Sequence, residues 1–163
     1  MSHWISDFFR QNEWANLGLI EVCRPLTDEQ LDTTVPGTFG SIRDTLLHIV
    51  SAEGGYAFRL GHEPSPRLMR GAAWPGLDAL AEMVSAAADS LVAAADTDPT
   101  RVIRVGGDDD PFDVEAEVIL IQAFHHGTEH RGQVCAILTS LGIIPPELSS
   151  WEWGLAVGRM RSV

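Results

Sequence analysis

Apolar residues recur at helical spacing along most of this chain, in segments separated by glycine- and proline-rich stretches. Spacings of three or four positions place these residues on one face of a helix, which can then pack against neighbouring helices. The pattern predicts four long helices, over residues 2–23, 41–60, 77–95 and 113–142. A short closing helix is expected within residues 147–163. The prediction is therefore an all-α protein with a single domain over residues 1–163.

Capping signals mark the ends of two of these helices. Ser41 is suited to the N-cap of the second helix, with Asp44 at its third helical position. Asp113 is a plausible N-cap for the fourth helix, and Gly142 followed by Pro145-Pro146 is a stop signal at its other end. The four long helices are thus expected to be separate elements.

The connecting segments carry weaker signals. Thr27–Leu31 is suited to a short helical turn, and Arg67 and Arg70 are expected at the surface of the connector over residues 61–76. Residues 100–105 alternate like a strand and run into three aspartates, 108–110. Calcium loops space their carboxylates at alternate positions, so these consecutive aspartates favour a solvated loop.

Charge and composition exclude several classes of function. The formal charge of −12 and the pI near 4.7 argue against binding to nucleic acid, which requires a basic face. There is no apolar run of membrane-spanning length and no basic-then-apolar leader, so no membrane contact and a cytoplasmic location are expected. All eleven basic residues are arginine, which excludes Schiff-base chemistry, pyridoxal phosphate attachment and a phosphate-loop lysine.

The stretch from Phe124 to Gln133 is the most informative part of the chain, because it places His126 and His130 four residues apart in a predicted helix. At 3.6 residues per turn the two imidazoles lie about 40° apart, close enough to reach one divalent metal. His125 lies about 140° away from His130 and is a bystander. A pair of polar residues on a solvated helix face is the competing interpretation.

A metal site with two histidines needs further ligands, and His48 is the best third candidate. It lies at the edge of the apolar stripe of the second helix, so it is expected to point towards the interior; a core-edge histidine hydrogen-bonded to a neighbour is the alternative. Glu53 lies nearer the middle of that stripe, where an unpaired carboxylate is costly to bury. A metal, a ligating histidine that needs an acceptor, or a surface salt bridge would each explain it.

These motifs resemble those of the DinB/YfiT-like metalloenzyme family. The matching stretches are Gly40 to Tyr56, the His-Gly-x-x-His-Arg-Gly-Gln segment from His126 to Gln133, and Leu138 through Pro146. Many members carry another histidine one turn before the His-Gly pair, where this chain has Gln122. That departure affects accessory polar contacts rather than the ligands.

The resemblance implies a four-helix bundle of up-down-down-up type, with a short extra C-terminal helix here, that holds a divalent metal on His48, His126 and His130 and usually forms a homodimer. Three neutral imidazoles leave the metal its positive charge and an open position. This ligand set favours zinc, nickel or iron over magnesium or calcium.

The leading hypothesis is a metal-dependent enzyme acting on a small-molecule substrate. The resemblance implies a low-molecular-weight thiol such as bacillithiol, mycothiol or glutathione as cosubstrate, in S-transferase or isomerase chemistry. Accessory roles are proposed for five residues. Glu53 or Glu129 is a candidate proton acceptor, and Tyr56 or Gln133 a candidate for orienting substrate; Arg131 either binds an anionic substrate or pairs with an acidic residue at a helix contact.

Three alternatives stay open. A metal-dependent small-molecule hydrolase would use the same three histidines with water as the nucleophile. A non-catalytic, metal-stabilised stress or scaffold dimer would bury its metal, whereas an enzyme would keep an exchangeable position in a cleft. His126, Glu129 and His130 also match the inverted zinc protease motif, but the glutamate ligand this requires downstream is available only as Glu147 or Glu152, beyond the prolines.

Overall fold

The computed structural model describes residues 3–107 and 109–161 of the 163-residue chain. Six helices and two strands follow one another in this part of the chain. They are α1 (His3–Cys23), α2 (Asp28–Leu31), α3 (Ile42–Arg59), α4 (Leu77–Ala94), β1 (Val102–Val105), β2 (Phe112–Glu115), α5 (Ala116–Ser140) and α6 (Ser150–Ala156). The four long helices and the short turn after Thr27 agree with the helical periodicity of the sequence. Ser2, where the first helix was expected to begin, lies outside the described residues.

The four long helices contact one another in a ring. α1 and α3 both pack against α4 and against α5. The core between them is apolar and falls into two clusters, one around Leu19, Leu46 and Ile137 and the other around Phe9 and Leu91. This arrangement brings α3 and α5, which carry the candidate metal ligands, side by side.

α3 begins as its sequence predicts. The Ser41 hydroxyl accepts a hydrogen bond from the Asp44 backbone N–H, and the Asp44 carboxylate accepts one from the Ser41 backbone N–H. This reciprocal pair satisfies two donors that the first turn of a helix otherwise leaves without partners. It therefore fixes the start of the helix that carries His48.

A small β-hairpin is the main difference from the all-α prediction. β1 and β2 pair antiparallel, with Arg104 opposite Asp113, and the Arg104 guanidinium forms an ion pair with the Asp113 carboxylate. The expectation that Asp113 caps the fourth helix was wrong, because Phe112–Glu115 is a strand and Glu115 occupies the N-cap position of α5. The strand-like alternation before the aspartates correctly indicated β1. The strand that pairs with it, β2, overlaps the predicted start of the fourth helix.

The remaining segments lie at the surface. Asp109 and Asp110 are exposed, as expected for a solvated loop, whereas Asp108 lies outside the described residues. α6 is shorter than residues 147–163; it contacts α1 and leaves Trp151 73% exposed. None of the helices in the described part of the chain has both the length and the apolar character that crossing a bilayer requires.

Replacing the N-cap of α3 tests this account of the helix start. Ser41→Ala removes the hydroxyl that accepts from Asp44, and we expect a loss of about 1 kcal/mol in the free energy of unfolding. Ser90→Ala, a half-buried serine within α4, is the matched control and should be neutral or slightly stabilising because alanine favours helix. Urea denaturation measures both, and equal effects in the two variants would contradict a capping role.

Candidate metal centre

Three histidines from two helices converge at one point between α3 and α5. His48 comes from α3, and His126 and His130 come from successive turns of α5. One ring nitrogen from each lies within 4.8 Å of those from the other two, and the centroids of the three rings are 4.4–4.7 Å apart. His126 and His130 are each 8% exposed, and His48 is half-buried. His125 is exposed and points away from this group, as its position around the helix predicts.

The orientation of His130 is determined by Gln133, one turn further along α5. The Gln133 side-chain oxygen Oε1 accepts a hydrogen bond of 2.9 Å from the backbone N–H of Phe39. The same oxygen lies 2.9 Å from Nδ1 of His130. Since this oxygen is an acceptor, Nδ1 must carry the proton, and Nε2 of His130 is left with its lone pair available to a metal.

His48 is oriented by an aromatic contact. The ring of Phe39 stacks on that of His48, with the centroids 4.0 Å apart and the planes 11° from parallel, and it meets His130 edge-on at 5.4 Å. Phe39 lies just before α3 and is itself 53% exposed, so it covers the histidine group from the outside. Its side chain thus contacts both His48 and His130, and its backbone N–H acts on His130 through Gln133.

The protonation equilibria favour the ligand form of the imidazoles. Burial, together with the charges of His130 and His48, lowers the pKa of His126 from 6.5 to about 4. Burial also lowers the pKa of His48, with smaller contributions in the same direction from His130 and Arg70. Neutral imidazole is the form that coordinates metals, so these two side chains need not lose a proton at neutral pH.

The spacing of one pair of nitrogens fits a shared first-row divalent ion. Nε2 of His126 and Nε2 of His48 are 2.9 Å apart. Nitrogens at about 2.0–2.1 Å from a common ion lie about 2.9–3.4 Å apart for bond angles between about 90° and 109°. A hydrogen bond between two neutral imidazoles would account for this one pair, but it would not explain why the third ring also converges. The three residues can therefore hold a metal ion.

One side of the histidine group opens into a cleft of about 560 Å³. His48 and His126 form part of its wall, together with Tyr56, whose ring lies edge-on to His126 at 5.8 Å. Gln122 also reaches the cleft, one turn before His126, at the position where the sequence departs from the family pattern. The cleft gives a small molecule access to the histidines.

Glu53 belongs to a separate buried polar cluster. It is fully buried, and its carboxylate accepts hydrogen bonds from the side-chain amides of Asn12, at 2.8 Å, and Asn16, at 3.0 and 3.2 Å. The Arg131 guanidinium donates to the side-chain oxygens of the same two asparagines and also to the Thr128 hydroxyl. The amides therefore connect a carboxylate on α3 with a guanidinium on α5, through α1.

This cluster explains how the chain accommodates the charge of Glu53. Burial raises the pKa of Glu53, while hydrogen bonds from Asn12 and Asn16 and the charge of Arg131 act in the opposite direction. Within the described residues, interior amides satisfy the carboxylate, rather than a surface salt bridge or a ligating histidine. Arg131 lies at a helix contact, but its guanidinium donates to Asn12, Asn16 and Thr128 and not directly to an acidic residue.

Gly127 is required where this cluster meets α5. A Cβ atom at this position would lie 2.7 Å from the Asn12 side-chain oxygen and 2.9 Å from both Arg131 Nη1 and Glu53 Oε1. These atoms are buried and bonded to one another, so they have little room to move. The glycine next to His126 thus lets the polar cluster approach the helix backbone directly beside a candidate ligand.

The predicted accessory residues lie in different parts of the structure. Tyr56 lines the cleft, whereas Gln133 contacts His130 and Phe39. Glu129 is exposed on the outer face of α5 and does not line the cleft. Their parts in a reaction stay predictions.

Several residues of the site were not found from the sequence. Asn12 and Asn16 sit four residues apart on α1, and two amides on one face of an otherwise amphipathic helix were the available signal. Phe39 lies in a connector with no periodicity, so only the structure reveals its contact with the histidines.

Comparison with known proteins bears on the family and the fold of this chain. The sequence model of the DinB family matches residues 1–153, which is most of the chain. The chain belongs to the DinB family. The fold of this DinB protein is similar to the crystal structure of a DinB-like protein from Bacillus cereus ATCC 10987, with a TM-score of 0.68 and 17% sequence identity over 88% of this chain and 94% of that one. None of the curated proteins compared with this DinB protein matches it.

Substituting the glycine beside His126 tests the packing of the polar cluster. Gly127→Ala places a methyl group against three buried polar atoms, and we expect a net loss of about 2 kcal/mol in the free energy of unfolding. The matched control is Gly132→Ala in the same helix, where a Cβ meets nothing within 4 Å. That control should gain about 0.5–1 kcal/mol from helix propensity. If urea denaturation shows both variants gaining stability, the close approach described here is not present in solution.

The lowered pKa of His126 predicts a pH dependence of the metal-free protein. As pH falls from 6.5 towards about 4, the unfolded state takes up a proton at this histidine before the folded state does, so the free energy of unfolding decreases. Glu53, with its raised pKa, acts in the opposite direction in every variant that retains it. The His126→Gln variant retains Glu53, so the difference between its pH dependence and that of the wild type reports on His126.

We expect the wild type to lose stability more steeply than His126→Gln between about pH 6.5 and about pH 4, measured by urea denaturation with a chelator present. Parallel curves for the two proteins would show that the folded state does not resist protonation of His126.

Proposed function

We propose that this protein is a metal-dependent enzyme that binds a divalent transition metal through His48, His126 and His130. The observation that carries the proposal is the opening of the histidine group into a 560 Å³ cleft. A structural metal site is normally closed by four protein ligands, whereas a catalytic site has three and an open position. Through this cleft a substrate could reach His48 and His126.

The reaction proposed is transfer or isomerisation with a low-molecular-weight thiol as cosubstrate. A divalent metal at this site would supply the positive charge that converts a thiol to its nucleophilic thiolate near neutral pH. The chain has no lysine, and burial raises the pKa of the thiols of its two cysteines, Cys23 and Cys135. The protein therefore has neither a lysine amine nor an activated thiolate to act as nucleophile. This supports a nucleophile that a small molecule supplies.

The surrounding residues have distinct parts in this proposal. Gln133 keeps the proton of His130 on Nδ1, and Phe39 holds the plane of the His48 ring. Tyr56 lines the cleft beside His126 and is the residue we place against the substrate. We assign no chemical step to Glu53 or Arg131, because both are engaged in the buried amide cluster.

Glu129 also has no part in the proposed chemistry, because it is exposed and does not line the cleft. The proton released from the thiol would therefore pass to solvent through the cleft.

Other features predicted from the sequence belong to the same proposal. Zinc or nickel is the preferred metal, with iron as the alternative, because imidazole ligands suit these ions. A cytoplasmic homodimer with up-down-down-up helices is the proposed form. An exposed apolar face that includes Trp4, Phe8 and Ile121 supports the dimer.

Metal content is the first test of this function. Protein purified without a metal-affinity tag should contain close to one equivalent of a transition metal, and His126→Ala should lose it. The matched control is His125→Ala, which removes the adjacent, exposed histidine and should retain the metal. Elemental analysis of the three proteins measures this directly. Equal metal contents in both variants would contradict a site built on His126.

The same three proteins distinguish the possible reactions. A zinc-loaded wild type and His125→Ala should accelerate the loss of free thiol from mixtures of glutathione or bacillithiol with an alkylating electrophile, whereas His126→Ala should not. If the protein accelerates ester hydrolysis but does not consume thiol, the proposed reaction is that of a small-molecule hydrolase and not of a transferase. Bound metal that stabilises a dimer without either reaction would leave the scaffold alternative.

A further inference from the structure

Three arginines line the cleft beside the histidine group. Arg59 comes from the end of α3, and Arg67 and Arg70 come from the segment that follows it. No aspartate or glutamate of the described chain is among the residues that line this cleft. The wall is therefore cationic, although the protein as a whole carries a formal charge of −12.

Two of these arginines lack an acidic partner, whereas five arginines outside the cleft have one or two carboxylates within 4.0 Å; these are Arg10, Arg24, Arg43, Arg104 and Arg159. Outside the cleft, Arg101, Arg131 and Arg161 also lack a carboxylate at that distance within the described residues, but Arg101 donates to the Leu60 carbonyl oxygen and Arg131 to two asparagines. Within residues 3–107 and 109–161, no carboxylate lies within that distance of Arg59 or Arg70. Two such arginines in one cleft leave positive charge there that no carboxylate in the described part of the chain neutralises.

Arg67 is held in place as part of the cleft wall. Its guanidinium stacks over the ring of Phe58 at 4.1 Å, and its Nη1 donates to Glu63 at 3.1 Å. The side chain is only 17% exposed, and its Nε is buried with no hydrogen-bond partner in the described part of the chain. Because the side chain is already fixed in the cleft wall, a contact between its guanidinium and a ligand would cost little further side-chain entropy.

Other residues that line the cleft are apolar. Val105 and Phe112 come from the hairpin, and Val118 comes from the first turn of α5; Phe112 is 56% and Val118 50% exposed. The hairpin that interrupts the all-α pattern thus adds an uncharged surface to the cleft that the arginines line. A ligand that contacts both surfaces needs an apolar body and an anionic group.

We infer that this cleft selects a small organic anion, with its carboxylate or phosphate group against Arg59, Arg67 and Arg70 and its apolar body against Val105, Phe112 and Val118. The inference rests on the proposed function, since the cleft is where a substrate would meet the histidines. It adds the chemical class of that substrate. Guanidinium groups bind both oxyanions through paired N–H donors, so the two anions share this recognition.

The surrounding negative charge has a further consequence. The net charge of −12 repels anions at long range, so binding depends on short-range contacts with the arginines rather than on steering by the whole protein. Removing two of these side chains should therefore abolish the preference for an anion instead of merely slowing its arrival.

A set of matched probes tests this inference. 3-Phenylpropanoate, phenyl phosphate and the neutral 3-phenylpropanamide are titrated into zinc-treated protein, and their dissociation constants are measured from amide chemical shifts. We expect at least one of the two anions to bind the wild type about tenfold more tightly than the amide. The comparison between carboxylate and phosphate identifies which oxyanion the cleft prefers.

The variant is Arg59→Gln/Arg70→Gln, and the control is Arg24→Gln/Arg159→Gln, which removes the same two charges from ion-paired arginines outside the cleft. The cleft variant should lose the preference for the anion while its affinity for the amide is unchanged, and the control should behave like the wild type. Equal binding of anions and amide by the wild type, no binding of any probe, or an unchanged preference in the cleft variant would overturn the inference.

Metal content measured on the same samples separates this result from the proposed function. A wild type that holds no metal but prefers the anion would contradict the metal-dependent enzyme and support the anion-selective cleft. A wild type that holds metal but binds anion and amide equally would be consistent with the metal-dependent enzyme and would contradict the anion-selective cleft.

Discussion

The contact between α3 and α5 is the constraint on which the rest of this structure depends. It brings a histidine from one helix against two from the other, and it is fixed by a buried carboxylate and a buried guanidinium that reach each other through two amides of α1. Buried charged groups are tolerated only when hydrogen-bonded, so the three helices can pack in few other registers without leaving Glu53 or Arg131 without partners. Specific polar contacts, rather than apolar packing alone, thus define where the histidines meet.

The same arrangement explains why two kinds of polar group are kept apart. The Glu53–Asn12–Asn16–Arg131 cluster is closed and internally satisfied, whereas the histidine group faces a cleft. Gly127 lies at the boundary, because only a residue without a side chain lets the closed cluster reach the α5 backbone next to His126. The helix α5 thereby contributes both to the stability of the fold and to the candidate site.

Much of the architecture could be predicted from the sequence, because helical periodicity and the Ser41 cap are local signals. The spacing of His126 and His130 and the position of His48 at the edge of its apolar stripe made the three residues candidates, and the family resemblance implied the full set. The hairpin was missed because strand pairing depends on a partner distant in sequence, and Asp113 is as suitable for an N-cap as for a cross-strand ion pair with Arg104. Phe39, the two asparagines and the arginine-lined cleft depend on tertiary contacts, which no periodicity encodes.

The ligand shell itself provides the most direct test of the central claim, that His48, His126 and His130 bind one metal. X-ray absorption spectroscopy of the zinc-reconstituted protein should show three imidazole nitrogens at about 2.0–2.1 Å, with no sulfur in the shell. A shell with a sulfur ligand at about 2.3 Å, or with fewer than three imidazoles, would contradict the site described here.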